Sequence, residues 1–370
     1  MNRNILICVT GLSPQIVTET VYALSMQATP AWMADEIYLL TTQRGAENAR
    51  LKLLSREPGW FHRLRADYGL PEIRFDESHV HVIRRQDGTP LDDIRDDADN
   101  RCAADFIADT VRRLTQDPET EVHASIAGGR KTMGFYLGYA MSLYGRAQDR
   151  LSHVLVSAPF ESHPEFYYPT PQTRVITSLD RGQDALDCSQ ARVWLGDIPF
   201  VRLREGLPER LLEGKAGFSE AVAAAGRAMQ APRLWLGVSQ CMACADGERL
   251  DLGPTEFSVL LWFARQACAD SGEIDWTDAG AVSTFLAVAR QVMKPASGEY
   301  ERLEKALNGR LNDAKLLGDY FEPQKSRINK ILQKTLGKFA SARYAIRRTG
   351  PRGASRYSLP LDARQIEIED

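Results

Sequence analysis

The sequence predicts an α/β protein: a Rossmann-like, doubly wound parallel sheet followed by a smaller α+β domain that is winged-helix-like. Three observations support this. Short apolar runs alternate with helical patterns, glycine-containing loops follow the first and fourth runs, and the pattern changes after residue 230. We therefore expect a first domain at 1–175, a connecting region at 176–230 and the winged-helix-like domain at 231–370.

Five apolar runs of strand length define the first domain. They are residues 4–9, 36–41, 79–83, 122–127 and 151–157. Helical spacing separates most of them, and such alternation is typical of a parallel sheet. Because ligands of these sheets bind beyond the carboxyl ends of the strands, the expected binding edge consists of the loops at 10–15, 42–45 and 128–132.

Composition limits the class of protein. The 370 residues are 44% hydrophobic and 26% charged, which suits two folded domains and argues against disorder. The apolar runs are too short for a membrane span, and the first leads into a glycine loop rather than a cleavage site. The six cysteines are scattered. We expect a cytoplasmic protein without a disulfide framework.

The domain at 231–370 combines short strands, helices and a basic segment. Strands are expected at 234–238 and 248–252, helices from an N-cap at Thr255 and at 326–336, and a hairpin at 343–359 with its turn at 350–353. Residues 325–356 hold ten Lys and Arg and no Asp or Glu, whereas the rest of the chain has 36 basic against 49 acidic residues. This asymmetry indicates a polyanionic partner, and DNA could bind through residues 325–356. The alternative interpretation is a solvated basic face.

The loop after the fourth run reads Gly128-Gly129-Arg130-Lys131-Thr132. Its glycines let backbone N–H groups approach an anion, and the helix that follows adds a positive partial charge. A P-loop requires glycine directly before its lysine, where Arg130 stands, so this is another kind of loop. The alternative interpretation is an ordinary strand-to-helix turn with exposed basic residues.

The loop after the first run reads Thr10-Gly11-Leu12-Ser13-Pro14-Gln15. The hydroxyls of Thr10 and Ser13 can bond phosphate or ribose oxygens, and Gly11 permits a tight turn. Its alternative role is structural, with Ser13 as a helix N-cap and Pro14 at the first helical position. After the second run, Thr42 and Arg44 are further candidate contacts.

No metal and no cofactor are expected. Cys241 and Cys244 have a zinc-like spacing, but no second pair of ligands follows them. The acidic segment from Asp92 to Asp99 lacks the spacing of a calcium loop, which favours a solvated surface loop.

These stretches resemble a known family. The first strand ends in Thr-Gly-x-Ser-Pro-Gln, the fourth in Ser-x-Ala-Gly-Gly-Arg-Lys-Thr-Met-Gly, and the fifth reads Asp149 to Val156. Together they are similar to the CRISPR-associated Rossmann fold (CARF) domain, most of all in the ring-nuclease branch of type III CRISPR systems. The resemblance covers roughly residues 1–175. It implies a homodimer whose two-fold axis passes through the ligand site, and a cyclic oligoadenylate as ligand, with cyclic tetra-adenylate the favoured ring.

The resemblance also implies a function: a metal-independent ring nuclease that linearises the messenger and switches off antiviral signalling. In that branch, a serine of the first loop and a lysine of the fourth-strand loop act on the ring. They match Ser13 and Lys131, which become the candidate catalytic residues. The candidate ligand-binding residues are Thr10, Gly11, Leu12, Gln15, Thr42, Arg44, Gly128, Gly129, Arg130 and Thr132.

The resemblance is compatible with two other functions. One is a DNA-binding transcription regulator that responds to the messenger without catalysis. The other is a messenger-activated ribonuclease of the HEPN type, which requires a histidine shortly after an arginine; no histidine follows His163, which argues against it.

Overall fold

The chain forms two compact units. The first comprises residues 1–204 and 217–219, and the second residues 205–216 and 220–370. The computed structural model describes residues 3–85, 87–161, 163–179, 184–215, 217–227, 230–269, 272–293, 298–311, 313–349 and 355–370. Within these ranges, no helix combines the length and the apolar character needed to cross a membrane.

A six-stranded sheet organises the first unit, and a small hairpin accompanies it. The strands are β1 (Arg3–Thr10), β2 (Glu36–Thr41), β3 (Val80–Val82), β4 (Thr120–Ser125), β5 (Arg150–Val156), the hairpin pair β6 (Val175–Thr177) and β7 (Ala185–Asp187), and β8 (Val193–Asp197). The sheet order is β3-β2-β1-β4-β5-β8. The first five of these pair in parallel, as the alternation predicted.

Helices follow the strands as expected. They are α1 (Gln15–Met26), α2 (Gln43–Ala49) with a π-helical continuation over Arg50–Leu54, α3 (Trp60–Tyr68), α4 (Asp97–Leu114) and α5 (Lys131–Tyr144). Residues Ile5 to Val9 of β1 have no exposed surface. A central strand covered on both faces must be apolar on both sides, which explains its continuous apolar run.

The order of strands reverses between β1 and β4. From β1 the chain builds β2 and β3 on one side, and then returns to build β4 and β5 on the other. This is the switch point at which the loops after two adjacent parallel strands diverge and leave a crevice. The loops at 10–15 and 128–132 lie there.

The interpretation of 176–230 as a connecting region is wrong in part. Val193–Asp197 forms β8, which pairs antiparallel with residues 152–156 of β5 and completes the sheet. The sheet is therefore mixed rather than wholly parallel. The strand is short and follows a loop rich in polar residues, so its pairing depends on β5 rather than on its own pattern.

The second unit has a four-stranded sheet and a helical layer. The sheet has the strand order β11-β10-β9-β14 and consists of β9 (Leu234–Gly237), β10 (Met242–Ala245), β11 (Glu248–Leu250) and β14 (Ile366–Glu369). A separate hairpin consists of β12 (Arg347–Thr349) and β13 (Arg356–Ser358). Strands β9 and β11 confirm two predicted strands, whereas β10 and β14 were missed.

Its helices surround an aromatic core that includes Trp262, Trp276 and Phe321. Helix α7 belongs to this unit except for its first residues. The helices are α6 (Glu209–Leu212), α7 (Phe218–Arg227), α8 (Pro254–Cys268), α9 (Ala279–Val292), α10 (Glu299–Asn308) and α11 (Ala314–Ser341). Thr255 is not the N-cap of α8, because the helix already starts at Pro254, a residue suited to the first helical position.

The predicted C-terminal hairpin is present. Strands β12 and β13 pair antiparallel, with Arg348 opposite Tyr357. Its expected turn at 350–353, including Arg352, lies outside the described residues. The preceding helix α11 is longer than the predicted helix at 326–336 and bends at Gly337, whose φ of 80° is left-handed.

Candidate functional site

The loops after β1, β2 and β4 touch one another. A Cβ atom placed on Gly11 would lie 3.7 Å from the Cα of Gly129, and one on Gly45 would lie 2.6 Å from the Gly11 carbonyl oxygen. A Cβ atom on Gly128 would lie 2.8 Å from the Val9 carbonyl oxygen. Glycine at 45 and 128 is therefore what allows the three loops to meet at one edge.

A first cavity of about 270 Å³ opens between these loops and the C-terminal residues of β5, 153–156. It contains six of the predicted ligand-site residues: Gly11, Leu12, Ser13, Gln15, Gly128 and Gly129. Strand β4 stops pairing with β5 at Ser125, so the last residues of β5 form the opposite wall. The loops after β1 and β4 therefore meet at one edge of the sheet, as predicted, and line one cavity.

A second cavity of about 260 Å³ adjoins the first through Gly11, Leu12 and Gly129. It adds Thr42, Arg44 and Arg130, all of which the sequence singled out. Thr42 is buried and caps α2 by accepting a hydrogen bond from the Gly45 N–H. The three loops thus contribute to two connected cavities.

Ser13 is exposed, and its side chain makes no helix cap. Helix α1 begins at Gln15 with Pro14 in the preceding position and no side-chain cap bond, so the predicted N-cap role of Ser13 is wrong. The reason is that the Ser13 carbonyl accepts a hydrogen bond of 2.8 Å from Thr10 Oγ1, which holds the loop before the helix starts. Ser13 lines the first cavity.

Thr10 and Thr132 lie outside both cavity linings. Thr10 has no exposed surface, because its hydroxyl is used inside the loop, so it shapes the site instead of making the expected ligand contact. Thr132 is exposed on the first turn of α5.

Lys131 is the first residue of α5 and is exposed; it directly follows Arg130 of the second cavity but belongs to neither cavity lining. It makes no ion pair with any residue that the structure describes. Its ammonium group adds to the positive end of the helix dipole, and both favour an anion at this point.

The two predicted arginines are engaged by carboxylates. Arg44 pairs with Asp92 at 3.1 Å, and Arg130 pairs with Asp93. The Arg130 guanidinium lowers the pKa of Asp93. The acidic segment interpreted as a solvated loop therefore reaches the second cavity, where its carboxylates pair with both arginines.

Sequence reasoning missed the titratable residues of the first cavity: Glu19, His153, Glu161 and His163. His163 is buried, with Nε2 donating to the Thr177 carbonyl at 2.8 Å and Nδ1 accepting from the Glu165 N–H at 3.2 Å. Both ring nitrogens are occupied, so His163 is a structural residue. The period of α1 could have indicated Glu19, which lies four residues after Gln15 on the same helix face.

Glu19 is 7% exposed on the cavity side of α1. Burial, and then the negative charge of Glu161, raise the pKa of Glu19 to about 8. Its carboxyl group is therefore largely neutral at physiological pH.

A largely parallel sheet with a switch point, and glycine-containing loops that carry basic side chains beyond it, define a Rossmann-like α/β protein. Residues 13–230, more than half of the chain, match the family described as CRISPR-associated protein NE0113. The chain belongs to this family. A comparison with curated proteins finds no match.

Two solved structures are similar over most of the chain. Csm6 of Enterococcus italicus, bound to cyclic hexa-2′-fluoro-hexa-dAMP, is 12% identical with a TM-score of 0.26 over 90% of this chain and 61% of that one. Can2 of Sulfobacillus thermosulfidooxidans, in complex with cyclic tetra-adenylate, is 13% identical with a TM-score of 0.23 over 95% of this chain and 74% of that one. The chain spans less than two thirds of the Csm6 chain, and neither likeness defines its ligand.

Proposed function

We propose that the protein is a CRISPR-associated ring nuclease of the CARF type that binds cyclic oligoadenylate and linearises it, which switches off type III antiviral signalling. One observation carries this proposal: the loops after β1 and β4 meet, with Ser13 on the shared cavity and Lys131 two residues after Gly129 of that cavity, at the start of α5. Membership of a CRISPR-associated family supports the same context. The favoured ring is cyclic tetra-adenylate.

The reaction needs little from the protein. The ribose 2′ oxygen attacks the adjacent phosphorus, the bond from phosphorus to the 5′ oxygen breaks, and the proton lost from the 2′ hydroxyl is balanced by one gained on the leaving 5′ oxygen. The products are linear adenylates that end in a 2′,3′-cyclic phosphate. Holding the attacking and leaving oxygens in line accounts for much of the rate.

Ser13 and Lys131 have complementary roles in this scheme. The exposed Ser13 hydroxyl fixes the ribose or the phosphate, and the Lys131 ammonium stabilises the charge that grows on the phosphoryl oxygens. A homodimer would place two such sites around one ring. Exposed apolar side chains beside the site, Leu12 at 63% and Phe135 at 64%, support a partner subunit there.

Conversion of cyclic tetra-adenylate in the presence of EDTA tests the proposal. We expect linear products with cyclic phosphate ends, and a loss of about 10²–10³-fold in rate for Lys131→Ala. Lys52→Ala is a matched control, because Lys52 and Lys131 are the only lysines among residues 1–204. Unchanged conversion by the Lys131 variant, with the fold intact, would remove this residue from the mechanism.

A second candidate, a messenger-controlled DNA-binding regulator, is favoured by the exposed arginines of the hairpin after α11: Arg347, Arg348 and Arg356. The helix itself offers fewer free cations than the sequence suggested. Lys325 packs over the ring of Tyr357 at 5.0 Å, and Arg327 pairs with Glu256.

A gel-shift assay on DNA upstream of the CRISPR array, with and without the messenger, tests this alternative. Phosphate contacts predict binding that weakens steeply with salt and that drops for Arg348→Ala. Absent or salt-insensitive binding would count against it.

A further inference from the structure

Glu19 is a buried acid in the first cavity, and no cation among the described residues pairs with it. It lies on α1, one turn after Gln15, and lines the cavity together with Ser13. No hydrogen bond or ion pair joins its carboxyl group to any residue that the structure describes. Buried carboxyl groups normally find such partners, so one without them on a cavity wall is a candidate ligand contact.

Burial, and then the charge of a neighbouring acid, keep the Glu19 carboxyl group neutral. Among the described residues, Glu161, which follows β5, is the charged group that raises its pKa, because it repels a second negative charge. His163 has both ring nitrogens occupied by backbone groups, and His153 of β5 contributes the remaining titratable side chain of the lining. The amide of Gln15 donates to the Pro164 carbonyl at 3.2 Å, which leaves its buried Oε1 as an unpaired acceptor in the same wall.

A neutral carboxyl group has one O–H donor and one C=O acceptor side by side, whereas an ionised one has acceptors only. Adenine presents the complementary pair on either edge, an N6 amine donor next to N1 or N7 as acceptor. Guanine presents two donors on its pairing edge and two acceptors, O6 and N7, on the other. A neutral acid therefore matches adenine, and a carboxylate matches the pairing edge of guanine.

We propose that Glu19 is a specificity-determining residue that recognises an adenine base of the ring through its neutral carboxyl group, with C=O accepting from N6 and O–H donating to a ring nitrogen. This inference rests on the proposed function, because it assigns the base-reading contact of the same ligand. It explains why a negatively charged ligand meets a buried acid: the acid carries no charge when it binds.

Affinity measured against pH tests the inference. Wild type, Glu19→Gln and Glu19→Ala would each be titrated with a cyclic tetra-adenylate that has 2′-deoxyribose, and so lacks the attacking hydroxyl, between about pH 6 and pH 9.5. In the wild type, we expect nearly constant affinity up to about pH 7.5 and then a loss that steepens above pH 8 towards about tenfold per pH unit.

The glutamine variant is the matched control. Its amide keeps one donor and one acceptor at every pH, so Glu19→Gln should bind at pH 7 like the wild type and show no loss at high pH. Glu19→Ala should bind about tenfold more weakly at pH 7 and lose preference for the adenine ring over the corresponding guanine ring. Thermal unfolding of each variant checks that the fold is kept.

The outcomes separate the two proposals. A wild type that binds the ring with the same affinity from pH 6 to 9.5, or a Glu19→Ala variant that binds and discriminates like the wild type, overturns the role of Glu19 and leaves the proposed function standing. A wild type that binds no adenylate ring at any pH overturns the proposed function itself, and the role of Glu19 with it.

Discussion

Replacing Asp93 with Asn tests whether carboxylates of the binding edge compete with an anionic ligand for its arginines. Asp93 pairs with Arg130, whose side chain is 56% exposed. Exposed pairs stabilise a fold only slightly, so the variant should unfold at nearly the same temperature. For a ligand with a ring of phosphates, in contrast, the variant offers an unpaired Arg130 guanidinium and removes a nearby negative charge. We expect its dissociation constant to fall by about two- to fivefold.

Isothermal titration calorimetry with the 2′-deoxy ring measures this effect without cleavage. Asp97→Asn is the control, since Asp97 pairs with Arg101 on the same segment, lies outside both cavity linings and changes the net charge equally. The gain should shrink between about 50 and 200 mM salt, because ions screen exposed charges. Unchanged or weaker binding by Asp93→Asn, or an equal gain in Asp97→Asn, would refute the reasoning.

Three further predictions concern stability and loop packing. Gly128→Ala should lower the free energy of unfolding by about 1–3 kcal/mol and weaken ring binding, because its Cβ would meet the Val9 carbonyl; Gly138→Ala, with 3.7 Å of clearance, is the control. His123 is buried and its pKa is lowered to about 3, so the folded state resists its protonation and stability should fall as pH drops below 6.5, by about 2 kcal/mol at pH 5. Chemical denaturation should show no such contribution in His123→Gln. Gly337→Ala should cost about 2 kcal/mol or more, since the position is left-handed and abuts the Gly206 carbonyl; a smaller loss would mean that α11 can straighten there.

The sequence was most informative where pattern and local chemistry agree. The five parallel strands lie within two residues of their predicted positions, since each is an apolar run followed by a turn signal. The meeting of the loops after β1 and β4 followed from topology alone, because parallel neighbours end at the same edge. The positions of Ser13 and Gly128 on one cavity could therefore be predicted.

What could not be predicted depends on long-range packing. Strand β8 carries no strong pattern of its own and is defined by its pairing with β5. Asp93 reaches Arg130 across 37 positions of sequence, and nothing local distinguishes it from Asp97. The burial of Glu19 likewise depends on residues after β5, so its neutral state becomes visible only once the cavity wall is assembled.

The antiparallel strand β8 decides how the protein can be dissected. A fragment that stops at residue 175, the predicted end of the first domain, would remove the outer neighbour of β5 and expose a row of unsatisfied amides and carbonyls beside Leu155. An exposed edge strand of this kind pairs with strands of other copies and promotes aggregation. Shortened versions should therefore extend through residue 204, because an insoluble fragment would otherwise be mistaken for a loss of ligand binding.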